Sequence, residues 1–149
     1  MVRKYAVIDL ETTGPKYESG DRIFQFGCTL IDGDEVIEHV SLNINPEKSI
    51  PFEIQLLTGV TNADVATAPY FDEVAMTIFN LLEDRTLVAH NVGFDGPFIM
   101  SALTDALGLE LEVPLIDTVQ LAQICYPTAL SYRLSDLTEA LEIHHTQVH

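Results

Sequence analysis

Asp9 and Glu11 stand one residue apart at the end of a short apolar run, Ala6-Val7-Ile8, and the chain then breaks at Thr12-Thr13-Gly14. In an extended strand, side chains at i and i+2 share a face, so the two carboxylates are expected to project together from the strand's carboxyl end. Like charges at that separation raise each other's pKa and oppose folding unless a cation lies between them. All-oxygen donors suit Mg²⁺ or Mn²⁺. Taken alone, the Asp-x-Glu tripeptide reads just as well as a solvated strand end. Its context favours a ligand, because Val7 and Ile8 read as a buried β-branched run while Thr12, Thr13 and Gly14 add hydroxyls and a backbone that permits close approach.

A second group, His90-Asn91-Val92-Gly93-Phe94-Asp95, falls where the short apolar strand Leu87–Ala89 is expected to turn into a helix. If that strand lies parallel to residues 6–10 as their neighbour, both carboxyl ends share one rim, which is where open α/β sheets place their sites. Asp95 then faces Asp9 and Glu11. Individually, Asp95 also reads as a helix cap and His90 as a hydrogen-bonded turn residue. Two strand ends delivering carboxylates to one edge favour a site.

The elements that must position these residues are legible from patterning. Asp21 to Ile31 and Val36 to Asn45 read as strands joined by the hairpin signal Asp32-Gly33, since Asp-Gly accommodates the positive φ of a tight reversal. With the first strand they form an antiparallel meander, and Lys16 to Gly20 reads as a mobile link within it. Pro46 and Pro51 end the meander, and Phe52 to Leu57 reads as one or two helical turns closed by Thr58-Gly59. Helical spacing of apolar residues predicts helices over 72–82, capped by Asp72, over 95–107, ended by Gly108, over 119–125, ended by Pro127, and over 135–141, with Leu134, Leu137 and Leu141 inward. Leu115-Ile116-Asp117 reads as a last strand. The expected fold is α/β: a mixed five-stranded sheet, three strands antiparallel and the later ones parallel, flanked by helices.

At 149 residues the chain is expected to form one domain, large enough to bury roughly 70% of its unfolded surface without staples. Cys28 and Cys125 show neither a CxxC pair nor metal spacing, which suits a reducing cytosol. The N-terminal apolar run is too short for a signal peptide and nothing approaches a membrane span, so a cytoplasmic, soluble protein with no membrane partner is expected. Seven Lys and Arg against 23 Asp and Glu give a formal net charge of −16, the reverse of the basic footprint of a nucleic-acid binder. If a polyanion is the substrate, bound cations must supply the local positive potential, and sustained contact needs a tether or partner. Composition alone leaves a carboxylate-rich small-molecule enzyme and an acidic interaction module open.

Three motifs in order, Asp9-Leu10-Glu11-Thr12-Thr13-Gly14, His90-Asn91-x-x-Phe94-Asp95 and Tyr132-Arg133-Leu134-x-x-Leu137 before a histidine, closely resemble the DEDD 3′→5′ exonucleases of the histidine-bearing subgroup. That group includes the proofreading subunit of bacterial DNA polymerase III and exonuclease modules fused to some bacterial damage-inducible helicases. The resemblance covers essentially the whole chain. It implies a ribonuclease-H-like fold and a metal-dependent exonuclease that releases nucleoside monophosphates from a single-stranded or frayed 3′ end, with a fused or associated helicase or polymerase as partner.

It also implies roles. Asp9, Glu11 and Asp95 correspond to ligands of two divalent ions, Mg²⁺ or Mn²⁺. Thr12 and Thr13 lie beside the terminal nucleotide; Leu57, within Leu57-Thr58-Gly59-Val60-Thr61, corresponds to a residue that wedges or stacks near the terminal bases, with Thr58 next to it. His90, Asn91 and Phe94 line the strand path, although Leu57 and Phe94 also read as core residues. The family's general base is a histidine with alanine two residues on and a fourth carboxylate five residues on. Neither His144 nor His145 fits that pattern, so His149 is the expected base, with the fourth carboxylate and the helix carrying it expected beyond the sequence. Asp117 and Asp136 read as strand-end and first-turn residues. The rival readings are an oligoribonuclease-type activity on short RNA and a catalytically silent docking module. Retention of Asp9, Glu11 and Asp95, whose repulsion a silent domain has no reason to tolerate, speaks against the second.

Overall fold

The structure is a computed structural model that describes residues 2–144. A five-stranded sheet in the order β3-β2-β1-β4-β5 forms its centre, built from β1 (Lys4–Thr12), β2 (Ile23–Asp32), β3 (Glu35–Asn43), β4 (Thr86–Ala89) and β5 (Leu115–Asp117). β1, β2 and β3 pair antiparallel, whereas β4 pairs parallel to β1, and β5 parallel to β4. This is the mixed sheet expected from the patterning. The hairpin turn falls on Gly33-Asp34, one residue later than expected, with Gly33 at φ 64°. Only glycine adopts that conformation without strain.

β1 alternates strictly. Ala6, Ile8 and Leu10 are buried and belong to the main core, while Asp9 on the opposite face is exposed and Glu11 half-buried. That core is closed by α3 (Phe71–Leu82) and α4 (Val92–Leu107), whose Ile78, Leu82, Ile99 and Leu103 are fully buried against the sheet. A satellite cluster of Phe24, Ile50, Val60 and Val65 holds α1 (Phe52–Thr58) and the short α2 (Asn62–Ala66). α5 (Thr118–Cys125) and α6 (Leu134–Ala140) complete the order.

Several local readings are corrected. α2 has a capping box between Thr61 and Asp64 and is too short to show helical periodicity. Asp72 does not cap α3; instead the Glu73 carboxylate reaches back to accept from the Tyr70 N–H at 2.8 Å. α4 begins at Val92, three residues earlier than expected. In α6 Leu137 is buried, but Leu134 and Leu141 are 56% and 41% exposed, because no element covers their side among the described residues.

The stretch read as a mobile link, Lys16 to Gly20, is a 3₁₀ turn over Tyr17–Ser19, closed by Ser19 N–H to Lys16 O at 3.1 Å and Gly20 N–H to Tyr17 O at 3.0 Å. Tyr17 fastens it to α4: its ring stands edge-on to Phe98 and its hydroxyl donates to Asp105 at 2.7 Å. Burial and that bond push the Tyr17 phenol up to about 12, so it remains a hydrogen donor.

Leu103 is wholly buried and Leu57 is 73% exposed. Leu103→Ala should therefore cost about 2–5 kcal/mol, a transfer loss plus a cavity, and Leu57→Ala no more than about 0.5 kcal/mol. Urea unfolding of the two variants beside the parent measures both.

Candidate active site

The parallel register Tyr5↔Thr86, Ala6↔Leu87, Val7↔Val88 brings the carboxyl ends of β1 and β4 to one rim of the sheet. Past this register β1 runs on to Thr12, carrying Asp9 and Glu11, while β4 stops at Ala89 and turns into α4 within three residues. Asp95 is the fourth residue of α4 and is only 6% exposed. Burial, then the charge of Asp9, pushes its carboxyl up to about 7, with Glu11 adding to the rise and a hydrogen bond from the Leu10 N–H opposing it. Residues 84 positions apart in the chain thus feel one another's charge at a single edge, as the two motifs implied.

The capping role open to Asp95 is not realised. Asn91 is the residue preceding the helix, held in the left-handed region at φ 70°, a conformation that asparagine tolerates better than most residues. Its N–H donates to Asp117 Oδ1 at 3.0 Å, and the same oxygen accepts from Val119 N–H at 2.9 Å. Asp117 therefore caps α5 and pins the β4–α4 turn with one carboxylate. Asp136 accepts from the Ser131 hydroxyl at 2.6 Å, a local first-turn contact.

Both ring nitrogens of His90 are engaged. Nε2–H donates to the Tyr132 carbonyl at 2.7 Å, since a carbonyl can only accept, and Nδ1 lies 2.9 Å from the Thr118 hydroxyl, which is itself 3.3 Å from Ala89 O. His90 thus ties the segment before α6 to the end of β4. Thr12 and Thr13 are buried, and their hydroxyls are engaged within their own loop: Thr12 Oγ1 donates to Gly14 O at 2.7 Å, and Thr13 Oγ1 accepts from Arg22 N–H at 2.9 Å. Phe94 is half-buried, its ring 5.5 Å from that of Phe98. Thr58 is buried and donates back to Ile54 O at 2.8 Å, whereas Leu57 projects outward. His149 lies outside the described residues. Asp9 opens into a cleft of about 700 Å³ between the open face of the sheet and α5–α6, which His90, Ser41 and Leu137 also line.

The donor set fits hard divalent ions. Asp9, Glu11 and Asp95 offer only carboxylate oxygens, and the proton that Asp95 retains near neutrality marks the charge a cation would neutralise. Among the described residues no three His, Cys, Asp or Glu side chains are already gathered at coordinating separation. Sequence reasoning missed Tyr17, Asp21 and Asp105, which brace the loop after β1. Their contacts are tertiary or lie within an irregular turn, and no motif carries them.

Residues 6–149 match the family model described as exonuclease, RNase_T. The chain is 39% identical over 148 residues to "3'-5' exonuclease DinG" of Bacillus subtilis, covering 99% of this chain and 16% of that protein. With the protein of the same name from Staphylococcus haemolyticus the identity is 40% over 139 residues, covering 93% and 15%. The chain thus spans about one sixth of the length of the curated relatives it matches. Exonuclease X in complex with 5′-overhanging duplex DNA superposes with a TM-score of 0.76 at 20% identity, over 97% of this chain and 76% of that one. E. coli exonuclease I in complex with a dT13 oligonucleotide superposes with 0.81 at 21%, over 97% and 37%. The fold is accordingly that of the ribonuclease-H-like exonucleases. No helix among the described residues is long and apolar enough to cross a membrane.

The raised Asp95 pKa has a signed consequence. Without metal, folded Asp95 holds its proton up to about pH 7, while the unfolded chain releases it near pH 4. The native state binds the extra proton between those values, so stability falls as pH rises from about 4 to 7 and is level above. Asp95→Asn, whose amide oxygen still accepts from Leu10, should lack this component and be more stable in chelator at pH 8 by an amount on the order of a few kcal/mol. Added Mn²⁺ should stabilise the parent there by mass action and leave Asp95→Asn nearly unmoved. Urea titrations across pH, with chelator and with Mn²⁺, read both effects.

Proposed function

The chain belongs to the RNase_T exonuclease family, and from that premise we propose that it is a divalent-metal-dependent 3′→5′ exonuclease domain that releases nucleoside monophosphates from a single-stranded or frayed 3′ end of DNA. The observation carrying this reading is the convergence on Asp95: its carboxyl is driven up to about 7 by burial and by the charges of Asp9 and Glu11. Carboxylates brought to one rim of the sheet are a donor set that suits a hard divalent cation.

Asp9, Glu11 and Asp95 would hold two ions, Mg²⁺ or Mn²⁺, in keeping with a family that works with divalent metals. When bound, the ions lower the pKa of the attacking water and stabilise charge on the departing 3′ oxygen. Water oxygen bonds to the terminal phosphorus, the bond to the 3′ oxygen of the preceding nucleotide breaks, and the terminal nucleoside leaves as its 5′-monophosphate. His149 is the base that accepts the water's proton, a role that rests on the family resemblance. As a ligand Asp95 would act as its carboxylate, without the proton it otherwise holds up to about pH 7. The Thr12–Gly14 turn, with both threonine hydroxyls already engaged, presents backbone to the terminal nucleotide, and exposed Leu57 stacks against the strand near its end.

DNA is favoured because the solved neighbours were captured with it. A net charge of −16 is poorly suited to holding a polyanion unaided, so a fused or associated helicase or polymerase supplies sustained contact. The length of the relatives beyond this domain leaves room for such a module. The compartment proposed is the cytoplasm.

The test is a 5′-labelled single-stranded DNA oligonucleotide incubated with Mg²⁺, Mn²⁺ or chelator. A ladder shortening from the 3′ end, with mononucleotides as product, is expected with metal and none with chelator. Asp9→Ala and Glu11→Ala should each lower the rate by at least about 100-fold, the order seen when a stabiliser of transition-state charge is removed. Undiminished release in chelator, or shortening from the 5′ end, would overturn the reading; degradation of the matching RNA alone would reassign the substrate.

A further inference from the structure

Asp21 lies just before β2, across the loop from Gly14. Its Oδ2 accepts from the Lys16 N–H at 2.9 Å, and its Oδ1 receives a long contact from the Thr13 hydroxyl at 3.5 Å. Lys48 stands 3.8 Å from Oδ1, with its side chain 40% exposed. An exposed pair of that kind adds little, and a 3.5 Å hydrogen bond is near the limit of significance. The charge-assisted bond from Lys16 is therefore the strong one.

Packing adds a second constraint. Gly14 does not occupy the left-handed region, so its backbone would accept any side chain, yet a Cβ there would lie 2.5 Å from Cγ and both oxygens of Asp21. Real Cβ atoms do not approach that closely. A side chain at position 14 would thus displace the Asp21 carboxylate from its seat. The rest of the loop closes around this contact: Thr13 N–H donates to Arg22 O at 2.8 Å, Arg22 N–H to the Thr13 hydroxyl at 2.9 Å, and Asp21 N–H to Lys16 O at 3.2 Å.

We propose that Asp21 is a positioning residue for the 3′-terminal nucleotide: seated against Gly14 and bonded to Lys16, its carboxylate holds the Thr12–Gly14 backbone in the shape that receives the substrate end. The proposal rests on the exonuclease reading above. Asp21 touches no reacting atom, so its removal loosens substrate binding and leaves the chemical step intact. Asparagine can replace it, since an amide oxygen still accepts from Lys16. Adding a methyl at position 14 reproduces its loss, because the two groups compete for one space.

Steady-state kinetics on a single-stranded DNA oligonucleotide with a free 3′ hydroxyl test this in the 149-residue chain with Mn²⁺. Asp21→Ala should raise KM about tenfold, the size of one lost hydrogen bond to a charged group, with kcat within about twofold of the parent and Asp21→Asn restoring KM. Gly14→Ala should raise KM comparably in the parent and add less than about twofold on top of Asp21→Ala, the non-additivity of one shared contact. Amide exchange at Lys16 and Thr13, faster in Asp21→Ala, reads the loop without substrate.

An unmoved KM in Asp21→Ala, a loss confined to kcat, an Asp21→Asn variant as impaired as Asp21→Ala, or additive costs at positions 14 and 21 would overturn the role. If Asp21→Ala does not fold, Gly14→Ala and Asp21→Asn decide it, with a raised KM expected in the first only. A parent chain that neither releases nucleotides nor binds the oligonucleotide in a metal-dependent way would overturn the exonuclease reading, and this role with it. Failure of the Asp21 variants in an active parent overturns the role alone.

Discussion

The parallel pairing of β1 with β4 is the constraint on which the rest depends. Once Val7 lies opposite Val88, Asp9 and Glu11 continue along one strand while the other chain turns into α4, and its fourth residue, Asp95, lands beside the Leu10 N–H. Asp95 there feels the charges of Asp9 and Glu11. Asp95 responds by retaining its proton. The strain is affordable because the same two elements bury Leu10, Val92, Phe98 and Ile99, and each large apolar side chain removed from water contributes roughly 1.5–3 kcal/mol. The core beneath the rim outweighs the repulsion on it.

The rim is also braced by residues that perform no chemistry. Tyr17 ties the loop after β1 to α4 through Phe98 and Asp105, and the Arg22 guanidinium lies 4.2 Å over its ring. His90 secures Tyr132, and Asp117 secures both the α4 turn and the start of α5. The elements bearing Asp9 and Asp95 are therefore held by two sets of contacts, one on each side of the rim. Asp9 and Asp95 are thus carried on elements whose relative position is fixed by contacts outside the carboxylates themselves.

Sequence alone reveals the parts governed by local rules. Alternation through β1, the Asp-Gly reversal and the apolar spacing of α3 and α4 are properties of neighbouring residues, and so are the motifs containing Asp9, Glu11 and Asp95. What it hides is of two kinds. Which acid reaches a helix end depends on rotamer and approach angle, so Glu73 rather than Asp72 serves α3, and Asp95 is buried in the first turn of α4 instead of capping it. Contacts distant in sequence, such as Tyr17 with Asp105, leave no periodic trace, and a loop they fasten reads as mobile. Helical spacing likewise says that Leu134 and Leu141 share an apolar stripe without saying whether anything covers it.

The charge balance sets how such a site can hold a polyanion. Of the seven basic residues, Arg22 donates to the carbonyls of Tyr17 and Asp21, Arg85 pairs with Asp32 and donates to Tyr5 O, and Lys48 faces Asp21 and Gly20 O. All three are thus already engaged within the fold. Arg3, Lys4, Lys16 and Arg133 remain, too few for the row of phosphate contacts that gives nucleic-acid binders their affinity. On the proposed reading, attraction for phosphate would come from cations held by the rim carboxylates and from main-chain N–H groups. The threonine hydroxyls nearest the rim are engaged internally, so they do not read base edges either. Backbone and metal contacts to phosphate and sugar carry no sequence information. On that reading, contacts of this kind would leave the base sequence unread.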